Sequence, residues 1–170
     1  MPGPPLPLEG NRLLLRQGIG LLERLSDELY ARSRVGWAPV GAQYRHILEH
    51  YRSFFAGLAT GRVDYDARAR DENIERSRGV ALEATRECLA ALEALDGKPD
   101  RQILVQMDTG APDADTDWRP SSLGRELQFL SSHTVHHYAL IKLLLEDCGL
   151  DLGPEFGVAP STLAWQRALR

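Results

Sequence analysis

The stretch PSSLGRELQFLSSHTVHHYALIKLLLEDCG, residues 120–149, decides the fold. Leu123, Leu127, Leu130, Ile141 and Leu144 recur three and four residues apart, with Thr134 and His137 on the same stripe, so one face of a long helix turns inward. Pro120, Ser121 and Ser122 suit its start and Gly149 suits its end. His133 and His137 stand one helical turn apart on nearly the same side, whereas His136 lies about 100° round the helix, facing solvent or the back of a site. An imidazole on an apolar stripe with no partner costs roughly a few kcal/mol. The pair therefore asks for a reason.

Three more helices are expected before this one. Over 11–33, Leu14, Leu21, Leu22, Leu25 and Leu29 repeat at helical spacing until Gly36, Trp37, Ala38 and Pro39 interrupt them. From Pro39 to about residue 61, Val40, Tyr44, Ile47, Tyr51, Phe54 and Leu58 form a second stripe. After the polar link of Val63, Asp64, Tyr65 and Asp66, an Ala- and Glu-rich helix runs over 73–95, stopped by Gly97 and Pro99. The period then changes: residues 102–107 read as a strand, 110–113 as a turn, with a return strand into Trp118. The tail over 156–163 reads as loop with a final turn. The expected fold class is all-α: a four-helix bundle, with a short β-hairpin between the third and fourth long helices.

At 170 residues the chain suits one domain, expected over 11–170 behind a flexible leader over 1–10. That leader lacks the charged start and apolar run of a signal peptide, and no stretch approaches the roughly 20 apolar residues a membrane span needs. A net charge of −4 gives no electrostatic footing for nucleic acid. Cys88 and Cys148, far apart in apolar helical settings, read as buried free thiols, from which a cytoplasmic location is expected.

All five histidines fall in two windows, His46/His50 and His133/His136/His137. Imidazole is the commonest protein ligand of catalytic transition metals. The pair His133 and His137 plus a third ring from the second helix would leave coordination positions open, the arrangement used for chemistry. For that third ring, counting 100° per residue from Ile47 leans towards His50 over His46. Other chemistries lack their signatures: there is no Gly-rich phosphate loop after a strand, no CxxC, no GxSxG elbow and no HExxH glutamate. Glu126 and Asp147 on the fourth helix receive no catalytic role.

Five stretches in this order, GAQYRHIL (41–48), VDYD (63–66), SSLGREL (121–127), HTVHHYALI (133–141) and FGVAPSTL (156–163), together resemble the DinB-like metal-binding four-helix-bundle superfamily. That superfamily includes thiol-dependent S-transferase-like proteins and the N-terminal domains of sulfoxide synthases. The resemblance implies one divalent metal on three histidines from the second and fourth helices. Carried over by position, these are His46, His133 and His137, with His50 as the fallback. Relatives often carry a further histidine where this chain has Gln43, a departure that takes Gln43 out of the ligand set.

The expectation is a metal-dependent enzyme in which the bound ion activates water or a thiol, of hydrolase or thiol S-transferase type. Zn, Ni and Fe all suit imidazole, so the divalent transition metal is not fixed by the ligands. The expected partner is a small-molecule substrate, with no nucleic acid and no membrane. Two rivals stand beside this reading: a non-catalytic metal- or ligand-binding bundle, and a hydrogen-bonded histidine cluster without metal. Pairing of two copies into a homodimer through exposed groups such as Trp165 competes with packing of that tail on its own bundle.

Overall fold

In the computed structural model, residues 5–110 and 117–169 are described, and they form seven helices and a small three-stranded sheet. Four helices are long: α1 (Leu8–Arg24), α3 (Val40–Gly57), α5 (Arg78–Glu93) and α6 (Leu123–Leu144). Helix α1 packs on α5 and α6, and α3 packs on the same two. Between them lies a continuous apolar core that includes Leu15, Leu22, Ile47, Phe54, Leu127 and Ile141. Burial of each such side chain contributes roughly 1.5–3 kcal/mol. No helix among the described residues is long and apolar enough to cross a membrane.

Capping residues cut the expected helices into shorter ones. The first expected helix ends at Arg24; Ser26 then accepts from Leu29 N and opens the short α2 (Asp27–Tyr30). The third splits into α4 (Glu72–Arg76) and α5, because the extended Ser77 breaks the ladder and its hydroxyl accepts from Val80 N. Helix α4 lies close on α3 across Gly41, where a Cβ would run into the Glu75 carbonyl.

The strands β1 (Arg62–Asp64), β2 (Gln102–Gln106) and β3 (Arg119–Ser122) form a sheet in that order, β1 parallel and β3 antiparallel to β2. The pair β2–β3 forms a hairpin between the third and fourth long helices, with its return strand at 119–122 and not, as read, running into Trp118; most of its turn, read at 110–113, lies outside the described residues. Pairing of residues 119–122 with β2 delays α6 to Leu123, and Ser122 caps it by accepting from Arg125 N. The link read at 63–66 contains part of β1, a strand too short for its alternation to register in sequence.

Three expectations need correction. The leader reading fails for residues 8–10, which belong to α1, with Leu8 buried against the core. The tail read as loop carries α7 (Pro160–Ala168), begun by Pro160 at a position where its missing N–H costs nothing. Cys88 is buried as expected, but Cys148 is only half-buried, because α6 ends at Leu144, before it.

Candidate metal centre

Helix α3 brings the first histidine window to the core. It contacts α2, α4, α5, α6 and β1, so it is buried on several sides rather than on one stripe. Gln43, Glu49 and His50 are buried along with Tyr44, Ile47 and Tyr51. The wheel's lean towards His50 matches its burial, while His46 is only half-buried. Across from it, α6 presents His133 and His137, while His136 is exposed as its position on the wheel implies.

Four rings meet there. The ring of His46 lies 4.5 Å from His50, 4.9 Å from His133 and 4.6 Å from His137, centre to centre. His133 is 4.2 Å from His50 and 4.6 Å from His137. Ligand nitrogens of His46, His50 and His133 all lie within 4.8 Å of one another. His137, expected as a ligand, stands beside this set, and His50, the fallback, stands within it.

The proton positions of two rings follow from their partners. His50 Nδ1 lies 2.7 Å from the His46 carbonyl oxygen, which can only accept. Its Nε2 lies 2.9 Å from Arg68 Nη1, which can only donate. His50 therefore carries its proton on Nδ1 and offers its lone pair to Arg68. His137 Nδ1 donates to Gln43 Oε1 at 2.7 Å, leaving the Nε2 lone pair free. His133 differs from both: its Nε2 is buried with no hydrogen-bond partner among the described residues.

Burial, reinforced by neighbouring rings, holds these imidazoles below the ordinary histidine value. His133 falls to about 2, His46 to about 3 and His137 to about 4. His50 is also lowered, first by burial and then by Arg68, against the opposing pull of the His46 carbonyl and Asp66. All four are neutral at pH 7, the form that ligates metal.

The surroundings are built from groups the sequence reading left without roles. Tyr65, just after β1, stacks on His50 at 5.5 Å and donates to Glu126 Oε2 at 3.0 Å. Ser121 donates to Glu126 Oε1 at 2.5 Å, so this buried carboxylate is held on both oxygens. Phe129 stacks on His133 at 5.5 Å. Gln43 sits at the start of α3, and Arg68 in the loop after β1. No spacing rule in the sequence points to either; the contacts are long-range. Two surface clefts of about 480 Å³ lie elsewhere, one beside Leu143 and Leu150 and one beside Asn11 and Ser131, and no histidine lines either.

Comparison with known proteins gives a family. The family model described as the DinB superfamily matches residues 16–141, which span both histidine windows. Among curated proteins, the chain is 34% identical over 102 residues to FK506-binding protein 5 of Rhizopus delemar. The match takes in 59% of this chain and 26% of that protein, so the chain spans about a quarter of that relative's length. No solved structure matches.

Proposed function

The chain belongs to the DinB superfamily, and from that premise we propose that it is a metal-dependent enzyme built on a four-helix bundle of α1, α3, α5 and α6. His46, His133 and His137 would hold one divalent transition metal (zinc, nickel or iron). When bound, such an ion lowers the pKa of water or a thiol and supplies a nucleophile near neutral pH, which suits a hydrolase or a thiol S-transferase acting on a small molecule.

One observation carries the reading. His133 Nε2 is a buried nitrogen without a partner among the described residues, in a nest of neutral imidazoles where the donor atoms of His46, His50 and His133 lie within 4.8 Å of one another. A buried polar nitrogen left unpaired costs roughly 1–3 kcal/mol, and a cation is the partner that a cluster of neutral imidazoles suits. The chain's own residues prepare the donors. Gln43 fixes the tautomer and orientation of His137, as carbonyl partners commonly do for metal-bound histidine. Burial keeps each ring unprotonated.

The third ligand rests on a choice of lone pairs. That of His137 is free, whereas that of His50 is engaged by Arg68. The convergence of donor atoms favours His50 instead. Metal analysis by inductively coupled plasma mass spectrometry tests the assignment. Near one equivalent is expected in the parent, little in a His133→Ala/His137→Ala double variant, and retention in His50→Ala. Loss in His50→Ala with retention in a single His137→Ala variant transfers the role to His50. A parent that stays empty after incubation with Zn²⁺, Ni²⁺ and Fe²⁺ sinks the reading.

A second reading has its own support. With the two clefts of about 480 Å³ away from the histidines, a bundle that binds metal without turnover also fits. Exchange of a metal-bound water for added azide or thiol, followed by absorption of a cobalt-loaded sample, separates the two. An enzyme needs an exchangeable position.

A further inference from the structure

Arg68 is out of keeping with the other arginines around the site. On α3, Arg45 pairs with Glu75 at 2.9 Å, and Arg52 with Glu87 at 3.2 Å and Asp71 at 3.6 Å. Among the described residues, no carboxylate lies within ion-pair distance of Arg68. Its hydrogen bond there is to the neutral ring of His50, donated by Nη1 to Nε2 at 2.9 Å. The charge also bears on His46. A guanidinium has five N–H donors and stays charged at any physiological pH. One end of this fork touches His50, and the other donors have no protein acceptor among the described residues.

The position is imposed rather than accidental. Asp64 Oδ1 accepts from Asp66 N and Ala67 N, turning the chain just before Arg68. Asp66 Oδ2 accepts from Asp108 N, tying the same turn down. Just after it, Arg70 adopts φ +50°, a left-handed conformation uncommon outside glycine. Asp71 N then donates to the buried Glu49 Oε1, beside His50 on α3. The loop is fastened at both ends with a half-buried cation held over the histidines.

Charge completes the argument. Four neutral imidazoles, a divalent ion and Arg68 make a strongly positive site. Of the buried carboxylates nearby, Glu126 is held by Tyr65 and Ser121 behind the His50 ring and Glu49 accepts from Asp71 N; the exposed Asp66 bears on His50 only in part. An unpaired cation near a bound metal ion is repelled by it, so the fitting occupant is an anion. A single uncommitted guanidinium matches a single negative charge, and its planar fork matches the two oxygens of a carboxylate.

We propose that Arg68 is the anion-recognition residue of the histidine site, and that the ligand taken there is a small molecule with a carboxylate next to its metal-binding group. This rests on the metal-centre reading above. It narrows the substrate from any small molecule to a carboxylate-bearing one, oriented with its acid towards the loop after β1.

The test uses cobalt-loaded full-length protein, with visible absorption reporting ligation. Mercaptoacetate and 2-mercaptoethanol present the same metal-binding sulfur with and without a carboxylate. The parent is expected to bind mercaptoacetate at least about tenfold more tightly than 2-mercaptoethanol, the scale of a hydrogen-bonded charge pair. In Arg68→Met that preference disappears through weaker mercaptoacetate binding, while 2-mercaptoethanol binds as before; Arg68→Lys keeps part of it. An equal preference in parent and Arg68→Met, or none in the parent, overturns the inference and leaves the metal centre standing. Loss of both ligands alike in Arg68→Met and Arg68→Lys shows that Arg68 only holds the loop, and also overturns it. If cobalt does not bind the parent, the metal-centre reading falls and takes this inference with it.

Discussion

Two regions of one core treat buried polar groups in opposite ways. In the first, Tyr44 donates to Gly18 O, Tyr138 to Leu14 O and Tyr51 to Asn11 Oδ1, while Asn11 Nδ2 donates to Leu127 O. Each of these side chains is buried and each hydroxyl has an acceptor. In the second, four imidazoles crowd together, and His133 Nε2 has no partner among the described residues. Both regions draw on α3 and α6, so the difference does not come from separate scaffolds. Satisfied polar groups lock helices to one another; an unsatisfied nitrogen among several neutral imidazoles leaves lone pairs that a ligand could take.

The largest expected effect breaks the tyrosine side. Asn11→Leu leaves the Tyr51 hydroxyl and the Leu127 carbonyl short of a buried partner, and should cost about 3 kcal/mol in denaturant unfolding. Adding Tyr51→Phe should return part of that loss, because removing both partners is cheaper than stranding one. If the double variant is as unstable as Asn11→Leu alone, packing rather than hydrogen bonding governs this region.

A smaller effect sharpens the histidine side. Gln43→Leu frees His137 to turn, and should weaken metal binding about 10–100-fold while moving the unfolding midpoint of metal-free protein little. A competition assay with a chelator of known affinity reads the first quantity. A large loss of stability with unchanged affinity would make Gln43 a core residue rather than an orienting one.

A third effect is a pH dependence peculiar to the histidine side. The folded values of His46, His133 and His137 are depressed to about 3, 2 and 4, against an ordinary 6.5. Below pH 6.5 the unfolded chain takes up protons that the folded cluster refuses, so stability falls as pH falls and is fullest above that value. Metal-free protein should therefore melt at lower temperature at pH 5 than at pH 7. Replacing His133 and His137 with alanine should flatten that slope, and an unchanged slope would place the titrating groups elsewhere.

Much of this was legible in the chain before it folded. The stripe from Leu123 to Leu144 marked α6, and the one-turn spacing of His133 and His137 gave two imidazoles on one side of it. The β-branched run at 102–106 gave the strand at the centre of the sheet. Caps at Ser26 and Ser77 were visible as residues but not as breaks, because serine serves equally well inside a long polar face. Periodicity depends on near neighbours, and these signals are all local.

What tertiary structure decided was everything that needed two distant segments at once. The wheel's lean towards His50 matched its burial, but that all four rings meet depended on how α3 and α6 pack. Gln43 acquired its role only by meeting His137, 94 positions away in sequence, and Arg68 only by a turn that carries it back over His50. Sequence spacing fixes which side chains share a helix face. Which lone pairs remain unclaimed depends on every partner the fold supplies, and only the assembled core determines that.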